Sequence, residues 1–120
     1  MNAINILEKF EKFQTYWHPY IIGEFNDCYV KLSKMKDEFV WHKHDNEDEL
    51  FIIFEGTLLM EFRDKTVEVK KGEILIVPRG VEHCPRTSGS EVYNMLIEPK
   101  TTTHTGDIES DITIKQLEWI

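Results

Sequence analysis

Three histidines and one glutamate in the middle of the chain have the spacing of a metal site. His42 and His44 lie in a run of residues typical of a β-strand, so both side chains point to the same face. Glu49 follows an acidic turn and opens the next strand-like run, and a hairpin there would bring its carboxylate beside the two imidazoles. The chain re-enters the sheet after a later Pro-x-Gly turn, where His83 is the predicted fourth ligand.

Three neutral imidazoles and one carboxylate form a ligand set suited to a divalent transition metal, namely Fe, Mn, Ni, Co, Cu or Zn. On a six-coordinate ion, four protein ligands leave two positions open for a substrate, dioxygen or water. Open positions are typical of a reactive site rather than a structural one. In the alternative interpretation no metal binds, and Glu49 is one more acid in a solvated loop.

Neighbouring side chains are expected to shape this site. Phe51 and Ile53 share a strand face with Glu49, so they should line the barrel below the metal. Arg79 and Arg86 flank the fourth ligand and are candidate anchors for a carboxylate substrate. The alternative is that both arginines are solvent-exposed or form salt bridges at the rim.

The other histidines and the cysteines have no predicted part in the site. His18 and His104 lie outside the ligand pattern and are expected at the surface. Cys84 adjoins the fourth ligand in a strand, so it should face away from the metal and serve in packing. With Cys28 it makes only two cysteines, too few for a disulfide framework, which favours reduced thiols in a cytoplasmic protein.

The elements that must position these residues are mostly short strands. Residues 1–19 hold one amphipathic helix, predicted over 5–17 from the apolar stripe of Ile6, Phe10, Phe13 and Trp17. Short β-rich runs separated by turn residues fill 20–99, and this spacing predicts an all-β sandwich or barrel. The tail at 100–120 has an apolar side expected to pack on the barrel or on a partner chain.

The charge balance excludes several classes of partner. Fourteen Lys and Arg against 22 Asp and Glu give a net charge of −8, and about half of it lies within 43–55. Such a chain repels phosphate backbones, so neither nucleic acid nor a membrane surface is an expected partner. A small-molecule ligand or substrate is expected instead. A homodimer is also expected, because both terminal segments carry apolar residues beyond what one small barrel needs.

Two patterns in the sequence resemble the conserved motifs of the cupin superfamily. The first reads H-x-H-x4-E-x6-G over 42–56 and comprises His42, His44, Glu49 and Gly56. The second reads G-x5-P-x-G-x2-H over 72–83 and comprises Gly72, Pro78, Gly80 and His83. Thr87 stands where the family usually has an asparagine that is not a metal ligand. The flanks are similar to those of small single-domain cupins, so the resemblance covers nearly the whole chain.

The resemblance implies a fold and leaves the activity open. It implies an all-β double-stranded β-helix, or jelly-roll, barrel with a short N-terminal helix. One implied function is a metal-dependent enzyme acting on a small oxygen-bearing molecule, either an oxidoreductase of the dioxygenase type or an isomerase. The alternative is a non-catalytic module that binds a small ligand, or senses it, through the same metal site. Fold alone does not choose between them.

Overall fold

In the computed structural model, two β-sheets face each other across the core, and one short helix precedes the first strand. The structure describes residues 1–108, 113–114 and 116–120. The helix α1 comprises Ile6–Phe10, and the strands of the described residues are β1 Tyr20–Phe25, β2 Cys28–Met35, β3 Glu49–Glu55, β4 Thr57–Phe62, β5 Thr66–Lys70, β6 Ile74–Val77, β7 His83–Arg86, β8 Val92–Pro99 and β9 Glu118–Trp119. The predicted all-β jelly-roll barrel with a short N-terminal helix is confirmed.

The core lies between a sheet of order β6-β3-β8-β2-β1-β9 and a sheet of order β5-β4-β7. Paired strands are antiparallel except β1 and β9, which are parallel. Along β3, Glu49, Phe51 and Ile53 are buried, while the residues between them are partly exposed. The buried apolar side chains of this core are Met35, Phe51, Ile53, Leu58, Met60, Val69, Val77, Val92 and Leu96. Glu49 therefore starts the row of β3 side chains that faces the core.

The segment between β2 and β3 pairs with β7 at isolated positions, whereas the sequence predicted that His42 and His44 lie in a continuous strand. His42 donates its backbone N–H to the carbonyl of His83 at 3.0 Å and accepts the reciprocal bond at 2.9 Å. Phe39 donates to the carbonyl of Pro85 at 3.0 Å. Proline has no N–H to return, so the ladder cannot continue through that position. Two separate pairings are nevertheless enough to hold the segment beside β7.

The helix α1 ends at Phe10, although the apolar spacing predicted a helix over 5–17. Asn5 caps the N-terminus of the helix, because its side chain accepts the N–H of Glu8 at 3.0 Å. Beyond the helix, the buried Lys34 donates from Nζ to the carbonyl of Phe13 at 2.8 Å, a bond that replaces a helical one. Tertiary partners override helix propensity here. No helix in the described part of the chain is long and apolar enough to cross a membrane.

Trp17 does not share the apolar stripe that its spacing predicted. Phe10 and Phe13 pack on the outer face of the larger sheet, with ring centroids 4.9 Å from Tyr93 and 4.5 Å from Tyr20 respectively. Trp17 instead adopts a positive φ of 58° and stacks on Phe39, with ring centroids 4.9 Å apart. The N-terminal segment thus covers the outer face of the sheet and ends beside the residues that precede the first ligand.

The described part of the tail folds back on the barrel. Residues 101–108, which we call the strap, cross the backbone at Lys43, where Asp107 accepts the N–H of Lys43 at 3.0 Å and donates its own N–H to the Lys43 carbonyl at 3.1 Å. Gly106 has a φ of 61°, and a Cβ there would lie 2.2 Å from the Lys43 oxygen and 2.9 Å from Cδ2 of His42. Glycine is therefore required for this close approach.

Some terminal apolar residues on which the expectation of a homodimer rests are used within the chain. Tyr20, Ile21 and Ile22 are buried in β1, whereas Trp119 is 55% exposed. The homodimer stays a prediction.

Replacing Phe10 by alanine should destabilise the fold by about 3–5 kcal/mol, because it removes a buried ring from an aromatic cluster. The matched control is Leu7→Ala on the same helix, where the side chain is 64% exposed and the expected change is within about 0.5 kcal/mol. Urea unfolding of both variants gives the comparison. Equal free energies of unfolding would contradict the packing of α1 described here.

Replacing Gly106 by alanine should displace the strap from Lys43. The control is Gly89→Ala, since Gly89 also has a positive φ of 97° but a Cβ at that position would meet no atom within 4 Å. Both variants carry the backbone strain, whereas only Gly106→Ala adds a clash, so it should lose roughly 1–3 kcal/mol more stability. Chemical unfolding measures this difference, and equal losses would show that the strap is not held against Lys43.

Candidate metal centre

The structure brings together all four residues predicted as ligands. His42 and His44 come from the segment between β2 and β3, Glu49 begins β3, and His83 begins β7. One potential ligand atom from each lies within 4.8 Å of the others, and each residue is at most 4% exposed. The paired backbones of His42 and His83 bring the two motifs into contact. Gly80 adds a second link, because its N–H donates to the carbonyl of His44 at 2.7 Å.

The spacing of the ligand atoms matches adjacent corners of one coordination sphere. Oε1 of Glu49 lies 3.0 Å from Nε2 of His44 and 3.1 Å from Nε2 of His83. Ligands about 2.1 Å from a metal and at right angles to each other are roughly 3 Å apart. The cluster is therefore compatible with a single metal ion held by Glu49 and the imidazoles.

The hydrogen bonds behind two imidazoles orient them as ligands. Nδ1 of His42 lies 2.8 Å from the carbonyl of Val40, and Nδ1 of His83 lies 2.9 Å from the carbonyl of Val81. A carbonyl oxygen only accepts, so each Nδ1 carries the hydrogen and Nε2 is left with a lone pair. In this neutral form, the lone pair of His83 faces an oxygen of Glu49 at 3.1 Å, and two acceptors at this distance need a cation or a proton between them.

Burial keeps the imidazole of His42 neutral. Burial, followed by the neighbouring His83, lowers the pKa of His42 from 6.5 to about 4. A neutral imidazole is the form that binds a metal. This ligand is thus ready to bind at neutral pH without first losing a proton.

Glu98 is a buried acid beside the site, and it is absent from the predicted set. In the pairing of β3 with β8, Leu50 lies opposite Ile97, which places Glu98 next to Glu49. Burial opposes ionisation of Glu49, but hydrogen bonds with Glu98 and the histidines outweigh it and hold the pKa of its carboxyl well below the usual range. Burial and the charge of Glu49 raise the pKa of Glu98 well above its usual range, against the effect of Lys31, whose Nζ donates to Oε1 of Glu98 at 2.8 Å. The raised pKa favours the protonated form of Glu98 beside the carboxylate of Glu49.

Strand alternation along β8 could have identified Glu98 from the sequence, because Glu98 shares a face with Asn94 and Leu96, which are buried. The sequence alone does not show that this face meets Glu49, since that depends on the register of two strands far apart in the chain.

A small cavity of about 30 Å³ adjoins the cluster, and His42 and Glu49 form part of its wall. Phe51 lines it as predicted, whereas Ile53 is buried in the core and is not part of the lining. A larger groove of about 490 Å³ lies elsewhere on the barrel and includes none of the four cluster residues. A further pocket of about 140 Å³ includes His44, but the small cavity is the one whose wall holds two of the four potential ligands, His42 and Glu49.

The structure places both candidate anchor arginines away from this cavity. Arg79 is exposed, and its backbone N–H and Nε donate to Oδ1 of Asp48 at 2.8 and 3.3 Å. Nε of Arg86 donates to Oε1 of Glu61 at 2.7 Å. Neither arginine belongs to the lining, which contains no lysine or arginine among the described residues.

His104 is buried at 8% exposure and lines the cavity, so its expected surface position is wrong. The strap carries it back over the ligand segment, and this long-range contact is not encoded in local spacing. His18 is half-buried and stacks on Tyr20, with centroids 4.3 Å apart. Cys84 is buried as expected, and burial together with Glu38 raises the pKa of its thiol to about 12.

Acidification should destabilise the metal-free protein through His42. Between about pH 6.5 and pH 4, the unfolded chain binds a proton at this imidazole that the folded chain does not. The free energy of unfolding should therefore fall as the pH falls through this range, by up to roughly 3 kcal/mol from this group. Urea unfolding of chelator-treated protein at several pH values measures it. In His42→Asn this part of the pH dependence should be lost, and identical profiles for parent and variant would contradict the assignment.

Known proteins are similar to this chain in sequence and in fold. The family model described as a cupin domain matches residues 29–99. The protein YdbB of Bacillus subtilis strain 168 is 41% identical over 80 residues, which cover 66% of this chain and 70% of YdbB. A crystal structure of a cupin-2 domain containing protein from Shewanella frigidimarina NCIMB 400 has a TM-score of 0.80 at 45% identity, covering 82% of this chain and 95% of that one. Protein NMB1881 from Neisseria meningitidis has a TM-score of 0.75 at 29% identity, covering 82% and 100%. The chain therefore belongs to the cupin family, and its two facing sheets form the cupin barrel.

Proposed function

We propose that this chain is a cupin metalloprotein that holds one divalent transition metal ion through His42, His44, Glu49 and His83. The ion would be Fe, Mn, Ni, Co, Cu or Zn. The proposal also places a small oxygen-bearing molecule in the cavity beside the ion, as a substrate or as a bound ligand.

One observation carries the proposal. An imidazole nitrogen and a carboxylate oxygen, both able to accept a hydrogen bond, face each other in a buried space. Nε2 of His83 lies 3.1 Å from Oε1 of Glu49, while the ring hydrogen of His83 is used on the carbonyl of Val81. A buried carboxylate facing a lone pair is unfavourable unless a cation or a proton lies between them. A divalent cation removes that repulsion for all four residues at once.

The charges of the ligand residues and their neighbours support a divalent cation. Three neutral imidazoles and one carboxylate give the ligand set a charge of −1, so a divalent ion leaves a net charge of +1 on the centre. Burial and the charge of Glu49 hold the pKa of Glu98 well above its usual range, which limits the negative charge beside Glu49. A centre with this small positive charge favours a neutral or singly anionic oxygen donor over a polyanion.

When bound, the metal would supply Lewis acidity to a carbonyl or enol oxygen, or redox chemistry with dioxygen. The chain's own residues orient the imidazole ligands and exclude water from the cavity. The carbonyls of Val40 and Val81 fix the rings of His42 and His83. The apolar side chain of Phe51 keeps one wall of the cavity dry, which strengthens charge interactions there.

Elemental analysis of the purified protein should find one metal ion per chain. The double variant His42→Ala/His83→Ala should lose it, because two of four ligands are removed. His18→Ala is the control, since it replaces a half-buried histidine far from the ligand set in sequence, and it should retain the metal. A double variant with full metal content would refute the ligand assignment.

Oxygen uptake and product formation, screened with diketones, catechols, thiols and sugars, then separate the two classes of function. Turnover that disappears in the double variant supports an enzyme. Stoichiometric metal with no chemistry on any of these compounds supports the non-catalytic binding or sensor module instead.

A further inference from the structure

Three buried ionisable side chains form a row on the core-facing side of the larger sheet. Glu49 on β3, Glu98 on β8 and Lys31 on β2 are each at most 3% exposed, and the three strands are neighbours in the sheet. The register of β3 with β8 places Glu98 beside Glu49. The register of β8 with β2 places Lys31 opposite Leu96, two residues before Glu98 and on the same face. The row therefore leads from a metal ligand into the core.

Lys31 is a buried cation that binds Glu98. Its Nζ donates to Oε1 of Glu98 at 2.8 Å, and the two side chains are 1% and 0% exposed. Apolar side chains of similar volume would fill such a space without the cost of removing two charged groups from water. Stability alone therefore does not account for a lysine and a glutamate at this place in the core.

Glu98 is held between Lys31 and Glu49. One of its oxygens accepts from Lys31, and its carboxyl group forms a hydrogen bond with the carboxyl group of Glu49. Oε2 of Glu98 is buried and receives no N–H from the residues that the structure describes. Because Glu98 is bound by two partners, its orientation is fixed, and so is the side from which it meets Glu49.

Glu49 needs such a partner more than the imidazole ligands do. The rings of His42 and His83 are oriented by backbone carbonyls behind them. A ligating carboxylate is likewise oriented by hydrogen bonds to residues outside the ligand set. The residues that hydrogen-bond Glu49 are the ligands His44 and His83, and Glu98. Glu98 is thus the partner of Glu49 from outside the ligand set.

We propose that Glu98, anchored by Lys31, is a positioning residue of the metal centre, which holds the carboxylate of Glu49 in place for the ion. Glu98 acts through Glu49 and is not itself a ligand, because it lies outside the four residues whose ligand atoms converge. What matters at position 98 is then the length and the hydrogen bonding of the side chain. The inference rests on the proposed function, because it requires a metal at the four ligands.

Cobalt binding to the metal-free full chain tests this inference, with the dissociation constant measured from the visible spectrum during titration. Glu98→Gln keeps the length of the side chain and can both donate to Glu49 and accept from Lys31, so its dissociation constant should stay within about threefold of the parent value. Glu98→Asn carries the same amide on a side chain one methylene shorter. It should bind cobalt about tenfold more weakly.

A double variant separates positioning from folding. Lys31→Met/Glu98→Leu replaces the buried pair by apolar side chains and leaves no unpaired charge, so the metal-free protein should stay folded, as judged by urea unfolding. Its cobalt affinity should nevertheless fall about tenfold or more. The matched control is Arg86→Met/Glu61→Leu, which removes an ion pair of 2.7 Å on the smaller sheet and should bind cobalt as the parent does. If the double variant at 31 and 98 does not fold, the comparison of Gln with Asn decides alone.

Each contrary result has its own meaning. Parent-like cobalt affinity in Glu98→Asn and in the folded double variant would leave Lys31 and Glu98 a role in packing only. Equal losses in Glu98→Gln and Glu98→Asn would show that the carboxyl group itself, rather than its position, is what the ion requires. A parent protein that binds no cobalt would refute the proposed function, and this inference with it.

Discussion

The buried carboxylate of Glu49 is the constraint on which the rest of the site depends. It is 3% exposed and lies at the start of a core-facing row, where an uncompensated charge would be costly. Two imidazole nitrogens approach one of its oxygens at 3.0 and 3.1 Å, and Glu98, whose pKa is raised well above its usual range, lies next to it on β8. Lys31 in turn donates to Glu98 at 2.8 Å, so the carboxylate begins a chain of polar contacts that crosses the larger sheet.

A few backbone hydrogen bonds hold the segments of the barrel that carry the ligands around Glu49. The reciprocal bonds between His42 and His83 tie together two segments that are distant in the chain. The strap adds a second layer, because Asp107 binds both backbone groups of Lys43. The N-terminal segment closes another side, where Trp17 stacks on Phe39. Elements at both ends of the chain thus enclose a site whose ligands come from its middle.

Much of this could be predicted from the sequence for local reasons. Alternation along a strand places His42 with His44, and Glu49 with Phe51, on shared faces. Turn residues such as Gly80 mark where strands end. These features depend on neighbours within a few residues, so the all-β architecture and the shared faces of the ligands follow from local sequence, whereas the position of His83 beside the others depends on its backbone pairing with His42. The helix that ends at Phe10 shows where prediction from local periodicity fails. The buried Lys34 on β2 donates to the carbonyl of Phe13, and the helix does not continue to that residue.

The sequence by itself determined the ligand types, their shared faces and the kind of barrel that carries them. Tertiary structure decided which further side chains meet those ligands. Glu98 reaches Glu49 through the register of β3 with β8, and His104 reaches the cavity through the fold-back of the tail onto Lys43. The same structure left Arg79 and Arg86 outside the cavity, held by nearby carboxylates. Contacts between distant segments depend on strand register and loop path, and neither is encoded in the periodicity of any one segment.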